Sequence, residues 1–268
     1  MSTTTPATPN PAATVLLVRD AADGLEVFMV VRHHQIDFGS GALVFPGGRV
    51  DPGDHAAASM PGRCAGPAGL EPALLALRVA AIREAFEECG VLLARPSGQS
   101  ELIDAQRLRG IEAAYRQAIW RGTHNISVML GAEDLVLATD LLTPFAHWIT
   151  PTAMPKRFDT HFFIAPAPAN QVAAHDGKES VDSIWISPAR AVAEAAEGRW
   201  KLLFPTRLNL QKLARWSNTT AAIEAARHAR IVTVLPEVTR TASGRIMRIP
   251  AEADYGGDRF EATEPAAM

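Results

Sequence analysis

Arg83 to Val91 reads REAFEECGV. At about 100° per residue, a helix gathers Glu84, Glu87 and Glu88 within an arc of about 100° and turns Ile82 and Phe86 to the opposite side. Three carboxylates on the front of an apolar-backed helix form a donor set for a divalent cation, and oxygen ligands suit Mg2+ or Mn2+. A solvated acidic helix face is the alternative. Two features weigh against it: the acids sit near the helix C-terminus, where the macrodipole disfavours negative charge, and Glu84 repels Glu88 across i,i+4. A bound cation would relieve both.

Upstream lies a second informative stretch, Phe45-Pro-Gly-Gly-Arg-Val-Asp-Pro-Gly-Asp54. Together the two segments resemble the signature of the Nudix hydrolases: Gly, five residues, Glu, seven residues, then Arg-Glu-apolar-any-Glu-Glu-any-Gly-apolar. Arg83 to Val91 supplies the second half. Gly48, five residues and Asp54 supply the first, with Asp in place of the usual Glu. The 28 residues from 55 to 82 separate the halves where the signature has seven, so about 21 are inserted. An uninterrupted alignment from Gly69 would put Leu75 in the Glu position. Leu75 falls on the apolar stripe Leu75, Val79, Ile82, Phe86, Cys89, so the split reading is preferred.

The resemblance implies hydrolysis of a diphosphate bridge, in which a cation held by carboxylates neutralises phosphoryl oxygens and lowers the pKa of bound water. By that resemblance Gly47 (through its carbonyl), Glu84, Glu87 and Glu88 are the metal-binding positions, and Arg83 orients the acids. Glycine at 47 and 48 would let backbone approach the metal closely. The family's general base varies and often lies outside the signature; Glu179, in the loop before the Trp185 strand, is the candidate. Catalysis is therefore expected from Arg83, Glu84, Glu87 and Glu179, and substrate contact from Arg32, Gly48, Arg49 and Arg157.

Residues 14 to 215 are similar to one branch of the family, the coenzyme A and acyl-CoA diphosphatases with an interrupted signature. The similarity runs through GALVFPGGRVDPGD, PFAHWITPTAMPKRFDTHFF and ESVDSIWISP. It implies release of 3′,5′-ADP and 4′-phosphopantetheine, or its acyl form. The branch's GEVAFPGG carries an acid that Gly41 to Phe45 lacks. ADP-ribose, dinucleotides and nucleoside diphosphate sugars thus stay open as substrates, as does a non-enzymatic ligand sensor. A homodimer is expected by the same resemblance.

Other candidates are weaker. His33-His34 has no further ligand at fitting spacing and reads as surface or phosphate-facing. His161 has Asp159 and Phe163 at period two and reads as a core histidine, with a pocket-lining role the alternative. Trp148 and Trp185 read as core, with adenine stacking the alternative.

These residues need elements to position them. The chain has 268 residues, with 26 Lys and Arg against 29 Asp and Glu, a net charge of −3. A general nucleic-acid binder would be basic. Hydrophobic residues at 47% and charged residues at 21% describe an ordinary globular chain. Two cysteines exclude a disulfide framework, and no apolar run approaches the roughly 20 residues of a spanning helix. Ala266-Ala267-Met268 is no SKL-type address, so a cytoplasmic location is expected.

Short β-branched runs at 14–19, 25–31 and 42–45 predict strands, as do 157–165 and 183–186. Helices are expected from about Glu71 to Gly90, over much of 100–137, from Ser187-Pro188, from Thr206 to Trp216 and from Thr219 to Arg230. Residues 144–155 read as irregular, and 231–249 as a hairpin turning at Ser243-Gly244. The expected architecture is an α/β/α sandwich with a mixed sheet and extra helical insertions. It comprises a disordered lead over 1–13, one domain over 14–249 with insertions at about 55–75 and 100–137 near the pocket mouth, and a tail over 250–268.

Overall fold

The computed structural model describes residues 6–33, 39–66, 69–241 and 244–262. Its strands are β1 (Asn10–Ala21), β2 (Gly24–Arg32), β3 (Leu43–Val44), β4 (Gly47–Arg49), β5 (Ala94–Pro96), β6 (Leu135–Leu137), β7 (Thr143–Ile149), β8 (Phe158–Pro166), β9 (Ser180–Ile186), β10 (Thr233–Val234), β11 (Glu237–Thr241), β12 (Gly244–Arg248) and β13 (Arg259–Ala262). Its helices are α1 (Pro52–Ala58), α2 (Pro72–Cys89), α3 (Ala105–Ile111), α4 (Gln117–Trp120), α5 (Ile126–Ala132), α6 (Pro188–Ala196), α7 (Phe204–Leu213) and α8 (Thr219–His228). A π-helical stretch, Glu112–Arg116, joins α3 to α4.

The main sheet runs β10-β7-β8-β1-β2-β3, with β9 also on β2. It is mixed: β1 pairs parallel with β8, and β7 with β10, while the other pairs are antiparallel. Along one edge β1 changes partner. Val18 to Ala21 pair with β2, whereas Ala12 to Thr14 pair with β4. The sheet therefore splits beside Gly47 and Gly48, and a cleft opens there.

Each face of the sheet carries its own core, as alternation along a strand requires. Odd residues of β1, Ala13, Val15 and Leu17, pack with Val79, Ile82, Phe86 and Cys89 of α2 and with α5. Even residues Leu16 and Val18 pack with Ala191 of α6, Leu208 of α7, Ala222 of α8 and Met247 of β12. This is the α/β/α sandwich, with the sheet as its middle layer.

Several expectations change. β1 begins at Asn10, inside the expected lead, because Asn10 to Ala13 pair with Phe158 to His161. Residues 143–149 form a strand rather than irregular chain; a register shift between Pro144 and Ala146 lets the ladder absorb the proline. α7 starts at Phe204 with Pro205 in its first turn, so Thr206 is not its cap. In the expected tail, β13 pairs with β12 and makes a three-stranded sheet with β11. The turn expected at Ser243-Gly244 falls at the right place between β11 and β12, but Ser243 lies outside the described residues. Leu75 is half-buried, in the first turn of α2, and its stripe is buried only from Val79 onward. Among the described residues no helix is long and apolar enough to cross a membrane.

Candidate active site

α1 and α2 bring the two halves of the signature together. Asp51 caps α1 by accepting from the Asp54 amide at 3.1 Å, and its own amide donates to Asp54 Oδ2 at 2.9 Å. This reciprocal cap fixes the Asp54 carboxylate, which is fully buried. Arg83 then reaches it from α2 with Nε to Oδ1 at 2.8 Å and Nη2 to Oδ2 at 3.0 Å. The bidentate pair brings Asp54, from across the insertion, onto the arginine that opens the second segment.

The rest of the Arg83 fork organises the helix acids. Nη1 donates to Glu84 Oε1 at 2.9 Å and to Glu87 Oε1 at 2.8 Å, and Nη2 donates to the Arg49 carbonyl at 2.8 Å. Glu88 lies one step round the helix and accepts from the Gly47 amide at 3.1 Å. A Cβ on Gly48 would lie 2.3 Å from Glu84 Oε1, and one on Gly47 would lie 2.5 Å from the Ala13 carbonyl. Gly47 therefore excludes a side chain, and one at Gly48 would displace the Glu84 carboxylate. Gly90 ends α2 with φ of 67°, the left-handed geometry glycine adopts freely.

Charge in this cluster is unbalanced. Burial pushes Glu84 up to about 7, with Arg83 pulling the other way. Burial and then the Glu84 charge push Glu88 well up. Asp54 and Glu87 are also raised by burial, against the pull of Arg83. Burial would lower the Arg83 guanidinium, but Glu84, Asp54 and Glu87 outweigh it. Three carboxyls thus share one central guanidinium with Glu88 close by, and a divalent cation would supply the missing charge. All donors are oxygens, the set that suits Mg2+ or Mn2+.

The cluster lies in a cleft of about 1150 Å3. The lining includes Arg32, Gly47, Gly48, Arg49, Arg83, Glu84, Glu87 and Glu179, bringing together most of the expected residues. The Glu179 charge acts on both Glu84 and Glu88, and that of Arg32 acts on Glu88.

Arg157 is a correction. It is buried and does not line the cleft; Nε donates to the Thr150 carbonyl at 3.0 Å and Nη1 to the Ala7 carbonyl at 2.7 Å. Its charge ties the start of the chain to the β7–β8 connection. Lys156 and Lys178 line the cleft instead. Lys178 stands 4.1 Å from the Trp120 ring centroid. No motif spacing singled out either lysine. Of the two insertions, the second contributes Ile119, Trp120 and Gly122 to the lining; among the described residues of 55–75 none does.

Trp148 lines the cleft while 3% exposed, and its indole donates to Tyr255 Oη at 2.9 Å. Trp185 packs edge-on to Phe28 outside the cleft. Cys89 is fully buried on the apolar side of α2.

The family model of the NUDT19 Nudix domain matches residues 67–213, more than half of the chain. The chain belongs to this Nudix family. The matched region starts after Asp54, so the Nudix signature's first half lies outside it and is joined to the second by the Asp54–Arg83 pair. The chain is 30% identical over 137 residues to "Acyl-coenzyme A diphosphatase NUDT19" of Xenopus laevis, covering 47% of this chain and 36% of that protein. It is 24% identical to the protein of the same name from Homo sapiens, covering 87% and 73%. Among solved structures, a NUDIX hydrolase from Alicyclobacillus acidocaldarius superposes with a TM-score of 0.67 at 27% identity, covering 81% of this chain and 96% of that one. The Nudix match to the Xenopus relative thus spans about a third of that protein's length.

Proposed function

We propose that this Nudix chain is a divalent-metal-dependent diphosphatase cleaving CoA or acyl-CoA to 3′,5′-ADP and 4′-phosphopantetheine or its acyl form. The observation that carries the reading is the convergence of Asp54, Glu84 and Glu87 on Arg83, with Glu88 beside them on Gly47, where Arg83, Glu84 and Glu87 line an open cleft. The acyl-coenzyme A diphosphatase activity named for the Xenopus and human relatives supports the CoA choice.

Glu84, Glu87, Glu88 and the Gly47 carbonyl would hold Mg2+ or Mn2+. When bound, the cation neutralises phosphoryl oxygens and makes an attacking water more acidic. Arg83 keeps the carboxylates facing the cleft, so they need no reorganisation when substrate arrives. Glu179 stands on the cleft wall across from them and takes the role of general base, receiving the proton of the attacking water. Arg32 and Arg49, with Lys156 and Lys178, offer positive charge to the phosphates of a long substrate. The cleft volume exceeds that of an ordinary small-ligand pocket, as a nucleotide joined to a pantetheine arm requires.

The test is turnover by purified protein with Mg2+ or Mn2+ on CoA, acyl-CoA, ADP-ribose, a dinucleotide and a nucleoside diphosphate sugar. Release of 3′,5′-ADP from CoA or acyl-CoA at the highest kcat/KM is expected. Preference for another diphosphate would overturn the substrate, and no turnover on any would overturn the activity and leave a ligand sensor.

A further inference from the structure

The reverse face of the cleft wall carries a second cluster. Along β8, Phe158, Thr160 and Phe162 line the cleft, so the alternating residues Asp159 and His161 point to the other side. Register brings their partners there. His161 pairs directly with His147 of β7, and Thr233 of β10 pairs with His147 from its other side. Ligand atoms of His147, Asp159 and His161 all lie within 4.8 Å of one another.

We propose that His147, Asp159 and His161 form a binding site for a single divalent cation of the zinc class, distinct from the carboxylate cluster. Two imidazoles and one carboxylate match the three protein ligands that zinc takes when its remaining position is left to water. The site has the outer hydrogen bond that ligating histidines ordinarily require: His147 Nδ1 meets Thr233 Oγ1 at 2.8 Å. That contact turns Nε2 toward Asp159 Oδ1, 2.5 Å away. The His147 and His161 rings stack with centroids 4.0 Å apart and planes 23° from parallel, so each ring turns about its side-chain bonds to bring a nitrogen onto a shared ion.

Placement favours a ligand site over a chance contact. All three residues stand on paired strands, which fix their backbone separation. All three are also half-buried, which leaves a path for an ion to enter. Nitrogen donors select zinc, cobalt or nickel over magnesium, whereas the all-oxygen cluster on α2 has the opposite preference. The two sites would sort metals by donor type.

The test is zinc binding to the full chain in excess Mg2+, which occupies oxygen donors and competes poorly for imidazole. Equilibrium dialysis with metal analysis is expected to give one zinc per chain. His147→Ala and His161→Ala should each weaken binding at least about a hundredfold. Glu87→Gln should leave it unchanged. Co2+ added to the unsubstituted chain should give a visible ligand-field spectrum that zinc abolishes, a readout independent of any variant's folding. Absence of zinc binding, wild-type affinity in both histidine variants, or loss of zinc in Glu87→Gln would each overturn the proposal.

Discussion

One cluster of ionisable groups stands on α1 and α2 and another on β7 and β8, and they are built on opposite principles. Around Arg83 the acids are buried, with Asp54 at 0%, Glu88 at 7% and Glu87 at 9% exposure, and one guanidinium organises three of them. Around His147 the groups are half-buried and satisfy one another directly. The first cluster carries excess negative charge inside the protein, so removing its organiser is costly. The second is held by strand register and loses little when one member goes. Burial separates them physically, because a buried charge without a partner costs several kcal/mol and an exposed one costs little.

The comparison can be broken most directly at Arg83. Arg83→Met strands Asp54, Glu84 and Glu87 without their cation and should destabilise the fold by roughly 3–5 kcal/mol in urea titration. A cost under about 1 kcal/mol would mean the guanidinium does not organise the site. Next in size, Glu87→Gln and Glu88→Gln should each lower kcat at least about a hundredfold, with the fold intact by circular dichroism. Near-normal turnover in both would sink the metal-site assignment.

A pH effect follows in size. The folded-state pKa of Glu84 is raised, from 4.5 to about 7, so the native state binds a proton more tightly than the unfolded chain. Its contribution to stability is therefore full below about pH 4.5 and falls as pH rises toward 7, by up to about 1.4 kcal/mol per pH unit. Metal-free wild type should lose thermal stability across that window relative to Glu84→Gln. Parallel Tm curves for the two proteins would contradict the shift. The smallest effect belongs to the other cluster: His161→Ala should change kcat/KM under Mg2+ by less than about twofold, because its side chain faces away from the cleft. A tenfold loss would show that the two faces are coupled.

Much of the carboxylate site was legible because it is local. Glu84, Glu87 and Glu88 share a face through helix periodicity alone, and Gly90 marks the helix end. Asp54 was legible only in part, since 28 residues separate it from Arg83. Leu75 is half-buried, so the apolar stripe alone does not separate it from an acid's position, whereas Asp54 makes the bidentate pair with Arg83. Arg157 misled because a charge in a strand looks the same in sequence whether it meets a phosphate or two backbone carbonyls. His161 read as a core histidine because its partner His147 sits on another strand, and no spacing rule pairs them.

The sequence by itself determined the three-carboxylate helix, the glycine turn and the family, all of which rest on short-range spacing. Only the tertiary structure decided that Asp54 completes the site, that Glu179 joins it while Arg157 does not, and that two histidines meet on the reverse face. The first depends on α1 packing against α2, and the meeting of the histidines on which strands pair and in what register, where a one-residue slip would send each side chain to the other face.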